Sequence, residues 1–521
     1  MKANPFLLGD RRATIADIVA VARGGRPVEL TRRQEVLGRI RQSRRRIADA
    51  VQRGEVIYAV NTGVGTNAVF LIPRNQVEIF QERALQQLCC GTGPMLEAEI
   101  VRASMFLRAV TFALGYSGVR PELIEQLTRL LNEQITPLVP RYGSVGASGD
   151  LIPSAYVGRA LLGQGRVLYR GRPGTARRAL ERAGIAPLRL AAKEGIALIN
   201  GTTLMTGVAA LVVQDADAVL RGFLAAAALA VEALGASDEP FQAWVQRVKG
   251  HRGQRRVAAC LRGLLEGSAA VGSTAELRRR AQSEQGGGRA SRIIQSGYSV
   301  RCIPQGIGPM YETLEAARAV VETEANSAND NPLIDPATGR ICHAGNFYGG
   351  HVARAMDGLK LDLANLANWA HALMAVLVDD RFSNGLPPAL AAHPGLNTGL
   401  KGMQLSLASL ACAARQIASP STVHPVSTEQ HNQDMVSLGA HAALTAREAL
   451  ERCRDGTAIL LLAACQAVDL RGAARKLGAG SRPVYRAVRS RSRFIDADRP
   501  MEGDIAAISA AILSGEMPLP D

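Results

Sequence analysis

Apolar residues recur at spacings of three and four through most of this chain. Between about residues 75 and 135 the pattern is plain in IVRASMFLRAVTFAL, and it predicts helices there. From about residue 200 onward it is sustained over 203–235, 308–326, 350–378, 401–416 and 436–469, which predicts long helices packed as a bundle. The first 50 residues read as helical segments with charged faces. Period-two patterning is rare: EVIYAV (55–60) reads as a short strand and GRVLYRGRPG as a small hairpin. Glycines break the periodicity in RYGSVGASGDLIPSAYV (141–157), after which SAYVGRALLGQG starts another helix. SEQGGGRASR (283–292) reads as a mobile loop. With no internal repeat and no low-complexity linker, the reading is one continuous all-α architecture. It has an N-terminal region (1–200), a central long-helix bundle (201–475) and C-terminal helices (476–521).

Composition changes this picture little. At 47% apolar and 4% aromatic, rich in helix-forming Ala and Leu, the 521 residues are those of an ordinary globular protein. The balance of 61 basic and 46 acidic residues leaves a formal charge of +15, which raises nucleic acid as a partner. The basic residues are mostly scattered arginines. Runs such as Arg44-Arg45-Arg46 and Arg278-Arg279-Arg280 read as solvated helix faces, and no RNA- or DNA-reading signature accompanies them. The expected consequence is a modest attraction for anionic substrates, with neither nucleic acid nor membrane as partner. Eight cysteines without a CxxC, and an N-terminus without a long apolar core, predict a reduced cytoplasmic protein. The longest apolar runs, GFLAAAALAVEAL and AILLLAACQAV, are too short to span a bilayer and read as buried helices. No histidine falls in a metal-binding spacing, so no metal site is expected.

Three chemistries compete for the glycine-rich stretches. VIYAVNTGVGTNA contains Gly63-x-Gly65-x-x-Ala68, a loose dinucleotide fingerprint, but the helical remainder offers no βαβ units to support it. Ser148 in GASGD resembles a nucleophile elbow imperfectly, because Asp150 stands where the second glycine belongs. In the third reading the loop reacts with itself. The backbone nitrogen of Gly149 adds to the carbonyl carbon of Ala147, and two waters leave, one of them taking the Ser148 hydroxyl. An exocyclic methylene on an imidazolone remains. Glycine at the attacking position has no side chain to resist the bend, serine supplies the leaving group, and alanine keeps the attacked carbonyl uncrowded.

GSVGASGDL (143–151) resembles the signature of the aromatic amino acid ammonia-lyases and aminomutases, which carry this methylidene-imidazolone (MIO). Further motifs follow in family order: YAVNTGVG (58–65), KEGIALINGT (193–202), YSVRCIPQ (298–305), NSANDNPL (326–333), AGNFYGG (344–350), NGLPP (384–388) and NQDMVSLG (432–439). The resemblance covers nearly the whole chain. It implies a fumarase/aspartase-like helical superfold, a homotetramer whose active sites draw on more than one subunit, and no external cofactor. The implied reaction is elimination of ammonia from an α-amino acid, and a catalytically inactive helical scaffold is the alternative of a different class.

The same resemblance implies roles residue by residue. Ala147, Ser148 and Gly149 would form the MIO, Tyr58 would take the β-proton, and Arg301 would clamp the substrate carboxylate through its planar fork. Tyr298 and Gln295 precede Arg301 at family spacing, and Asn200, Asn331 and Phe347 would line the MIO and the amino group. Gly65, Leu88, Leu151, Asn432 and Gln433 are carried over as substrate-binding. For Tyr58 to act near neutral pH its pKa, ordinarily about 10, is expected to be lowered by positive charge or a helix N-terminus. Histidine as substrate is disfavoured, because Gln87-Leu88 and Gln433 replace the Ser-His pair and the Glu of the histidine enzymes. Gln87, taken as a buried amide needing a partner, favours the phenol of tyrosine over phenylalanine. Ala59, Val64, Arg83, Ser154 and Tyr156 depart from the family pattern. A tighter Tyr58 loop would favour readdition of ammonia, which keeps a 2,3-aminomutase as rival.

Overall fold

The computed structural model describes residues 4–283 and 295–520, so most of the stretch predicted to be a mobile loop, 284–292, lies outside the described residues. The protein is predominantly helical, and among the described residues its strands form only two- and three-stranded sheets. By compactness the chain divides into two units. One comprises the stretch up to Gln214 with Ala317–Asp357 and Pro420–Leu444; the other comprises Asp215–Ala316, Gly358–Ser419 and the chain from Thr445 onward. Four of the five boundaries fall inside the four longest described helices, Thr203–Leu234, Ile303–Ala325, Gly350–Val378 and Gly439–Leu470, and the fifth follows the helix Lys401–Ile417.

The first unit is built around the helix Ala98–Ala113, which is buried on nearly every face. Such a helix has no solvent side on which to place its two arginines, so both work as internal donors. Arg102 donates to the carbonyls of Val21, Ala22 and Leu131, satisfying last-turn carbonyls of two neighbouring helices, Ile15–Ala22 and Pro121–Asn132. The hairpin expected in GRVLYRGRPG is present as Arg166–Tyr169 paired with Arg172–Thr175, and Ile135–Pro137 joins it as a third strand. EVIYAV is not a strand. The Ile57 amide donates to Asn61 Oδ1 and the Val60 amide to the Ile57 carbonyl. Ala59 sits at φ +57° with its carbonyl held by Gln81 Nε2. The segment is a tight turn because side chains take the backbone groups that a ladder would have used.

The arginine run at 44–46 is not a solvated face. Arg44 donates to the Ala192 carbonyl, and Arg46 pairs with Glu55 while donating to the Gly339 carbonyl, leaving only Arg45 exposed. Arg278 is exposed and pairs with Glu239.

The N-terminus is fastened by a capping box in which Thr14 and Asp17 exchange hydrogen bonds. Burial alone would raise the Asp17 pKa, but the forked hydrogen bond from Arg11 and the Thr14 donors lower it to about 2. The sign follows: a carboxyl depressed in the fold contributes stability above its unfolded value near 3.9, and loses it as pH falls toward 2. Because Arg11 is half exposed, screening holds the effect to about 1–2 kcal/mol. Asp17→Asn is therefore expected to lower stability at pH 7 and to flatten the acid limb between about pH 4 and 2 in denaturant titrations.

The second unit is the long-helix bundle. The observed helices match the predicted intervals closely, except that Ile303–Ala325 begins more than a turn before 308 and carries Pro309 inside it. Gly253 and Gly308 bring two helices into backbone contact, where a Cβ on either would collide with the other chain segment. By length and apolarity alone Gly350–Val378 would cross a membrane, yet Asp357 and Lys360 along it are buried and bonded to the backbone of Ser421 and Ser419.

Candidate active site

The first unit holds a cavity of about 810 Å³. It is lined by Tyr58, Gln87, Leu88, Ala147, Ser148, Leu151, Asn200, Asn331, Phe347, Asn432 and Gln433, among others. Thus most of the residues singled out from the sequence, drawn from three stretches of chain, converge on one space.

The loop that carries Ser148 owes its shape to backbone positions that ordinary residues avoid. Gly146 and Gly149 have φ of +74° and +83°, and Ser148 and Leu151 have φ of +51° and +48° despite their side chains. A Cβ on Gly149 would collide with the Gly201 carbonyl, and one on Gly146 would strike Ser437 and Leu438. The loop is pinned from outside. The Asp150 amide donates to the Gly201 carbonyl at 2.8 Å, and the Asp150 carboxylate accepts the Leu204 and Met205 amides at 2.5 and 3.2 Å. Those amides open the helix Thr203–Leu234, where a carboxylate belongs. Burial pushes the Asp150 pKa up to about 7 against these amides and the Arg108 charge.

The Ser148 carbonyl accepts Asn200 Nδ2 at 2.9 Å and the Gly201 amide at 3.2 Å. In a ring closed between Gly149 and Ala147 this is the carbonyl that survives, so both donors would draw electrons from the methylene derived from Ser148. Asn200 Oδ1 is buried without a hydrogen-bond partner among the described residues, an open acceptor on a residue that lines the cavity. Ser148 Oγ lies 3.4 Å from Gln433 Nε2. The left-handed backbone, the two donors on the surviving carbonyl and the vacant acceptor all fit the MIO.

Tyr58 is held at both ends. Its hydroxyl oxygen accepts the Gly65 amide at 3.1 Å, its own amide donates to His343 Nε2 at 3.2 Å, and the two rings meet edge to face at 6.3 Å. Gly65 opens a short 3-10 turn, so the expected helix N-terminus is present. The expected fall in pKa is not: burial raises Tyr58, Glu429 raises it further, and the Gly65 amide offsets only part. Glu429 was not singled out from the sequence, although TEQHNQD places it three residues before the NQDMVSLG motif. It abuts Gly65, where any Cβ would meet its carboxylate, and Glu429, Gln430 and His431 all have positive φ (47°, 54° and 67°). Three such residues in a row hold the carboxylate in place at a cost of about 1–2 kcal/mol each. Glu429→Gln is expected to lower the Tyr58 pKa and move the alkaline-going rise of kcat/KM to lower pH, as a pH profile would read.

One expectation needs correction. Gln87 lines the cavity but is exposed, and its Nε2 already donates to the Ala84 carbonyl at 3.3 Å. It is therefore not a buried amide waiting for a partner. Arg301, Tyr298 and Gln295 belong to the second unit and are absent from the cavity lining of the first. The Arg301 guanidinium stacks at 4.5 Å over the ring of Tyr298, which is 70% exposed.

Residues 13–490 match the family model described as aromatic amino acid lyase. The chain is 39% identical over 523 residues to a tyrosine ammonia-lyase of Cupriavidus metallidurans, covering 99% of this chain and 97% of that one. It is 38% identical over 474 residues to a histidine ammonia-lyase of a Geobacillus species, covering 91% and 90%. Among solved structures it is similar to a tyrosine aminomutase from Streptomyces globisporus, with a TM-score of 0.94 at 34% identity over 98% of this chain and 97% of that one. The structural neighbours share a helical, fumarase-like superfold, and the family is known for the MIO group. With the match spanning nearly the full length, this chain belongs to the aromatic amino acid lyase family, whose ammonia-lyases break carbon–nitrogen bonds in amino acids as small-molecule substrates.

Proposed function

We propose that this protein eliminates ammonia from an aromatic L-amino acid, with L-tyrosine preferred and p-coumarate as product. The observation that carries the reading is the single cavity bringing Tyr58, Ser148 and Asn200 together. Once formed from Ala147, Ser148 and Gly149, the MIO supplies an electrophilic carbon that makes the substrate amine a better leaving group. Asn200 Nδ2 and the Gly201 amide hold the carbonyl of Ser148, while Asn200 Oδ1 accepts from the ammonium side of the substrate. Tyr58 removes the β-proton, and the Gly65 amide stabilises its phenolate.

Tyrosine is supported by what the pocket lacks and by its relatives. Gln87, Leu88 and Gln433 line it where imidazole partners would be required, and a tyrosine ammonia-lyase is among the similar proteins. Being exposed, Gln87 contributes here as a donor able to swing toward a phenol. Comparing kcat/KM for tyrosine, phenylalanine and histidine tests this, with tyrosine expected first; a clear preference for either of the others overturns it. The two-ended grip on Tyr58 and the similarity to a tyrosine aminomutase favour a second reading, in which ammonia readds to give a β-amino acid. Chromatography of the products separates the two.

Arg301 and Tyr298 fit the same reading as groups supplied by a neighbouring subunit of a homotetramer, and a cytoplasmic location is part of the proposal. Mixing Ser148→Ala with Arg301→Ala chains is expected to restore part of the activity that each lacks alone.

A further inference from the structure

The second unit carries a groove of about 390 Å³ lined by five arginines, Arg247, Arg252, Arg255, Arg256 and Arg262, and by no carboxylate. It lies along the helices Ala243–Lys249 and Arg252–Leu264, and the sequence from 241 to 265 contains no Asp or Glu at all. Two of the five are occupied: Arg252 pairs with Glu315, and Arg262 donates to the Phe241 carbonyl at 2.6 Å. Glu312, the other carboxylate at that end, accepts the Gly253 amide. The guanidiniums of Arg247, Arg255 and Arg256 make no hydrogen bond or ion pair among the described residues. Crowding three uncompensated guanidiniums around a concavity raises the local potential, and a bound anion relieves it.

Arginine presents a planar fork of donors that matches phosphate oxygens in pairs, so several forks on one hollow suit a ligand dense in phosphate. The bounded volume suits a small molecule better than the long track that a duplex needs. Trp244 lies outside the groove's lining, but it stands 59% exposed one helical turn before the lining residue Arg247, offering a flat face on which a base stacks. We propose that this groove is a nucleoside triphosphate site, in which the unpaired arginines hold the phosphates and Trp244 the base. Nothing in the lyase reaction requires it, and it shares no residue with the cavity of the first unit.

The chain has two tryptophans, Trp244 and Trp369, so intrinsic fluorescence of the full-length protein reads the site directly. Titration with ATP in about 0.15 M salt is expected to give saturable quenching that weakens as salt rises. Quenching is expected to vanish in Trp244→Phe, while calorimetry on that variant still detects ATP. Affinity is expected to fall about tenfold or more for AMP, and by a similar factor in Arg255→Ala/Arg256→Ala. Both arginines are exposed, and circular dichroism checks that the double variant is folded; Arg247→Ala provides a milder second test. No saturable binding of millimolar ATP, or unchanged binding by the double variant, overturns the site. Tripolyphosphate binding as tightly as ATP removes the nucleoside from the assignment, and a duplex oligonucleotide binding more tightly than ATP replaces it with a nucleic-acid surface.

Discussion

Replacing Ser148 by alanine is expected to abolish turnover of every aromatic amino acid while leaving the fold intact. The hydroxyl of Ser148 leaves as water, and without it no exocyclic methylene forms, whatever the backbone does. The substrate amine then stays an unactivated leaving group. The expected loss is about three orders of magnitude or more, above 4 kcal/mol on the barrier. Alanine occupies the same left-handed position at φ +51° no less easily than serine, and the bonds holding the Ser148 carbonyl are backbone and Asn200 contacts that the substitution spares. Intact-mass measurement separates the causes: the parent chain should weigh two waters less than its sequence and Ser148→Ala should not. Near-ultraviolet absorbance of an arylacrylate supplies the rate. Comparable turnover by both proteins would sink the electrophile, and with it the function proposed.

What made Ser148 legible in the sequence is that its chemistry is local. Ring closure needs three consecutive residues and glycines around them, and a linear motif records that completely. The long helices were legible for a similar reason, since their apolar period depends on nothing outside the segment. Residues whose state is set by distant partners were not. Glu55–Val60 alternates like a strand, yet Asn61 and Gln81 take its backbone groups and fold it into a turn. The run Arg44–Arg46 looks solvated until the Ala192 and Gly339 carbonyls arrive from far along the chain. Gln87 occupies the expected place but not the expected burial, because exposure depends on how Arg83–Gln87 ends its helix and not on residue type. In the same unit, the buried pair of Lys193 and Asp330 joins residues 137 positions apart, beyond the reach of any spacing argument.

Tyr58→Phe is expected to lower kcat by about a hundredfold to ten-thousandfold with little change in KM, the range for loss of a positioned general base. The ring keeps its edge-on packing against His343 and the backbone keeps its bond to Nε2, so the substitution removes one oxygen and little else. The Gly65 amide loses its acceptor, a loss of about 1 kcal/mol in stability that does not touch the chemical step. Because burial and the Glu429 charge hold Tyr58 above its ordinary pKa, the phenolate is scarce at neutral pH, and kcat/KM of the parent enzyme should climb as pH rises. In Tyr58→Phe that climb should disappear, since no group remains to be deprotonated, whereas Glu429→Gln should keep the climb and displace it downward. A variant whose residual activity still rises with pH along the parent's curve would assign the proton to another base and leave Tyr58 a structural phenol.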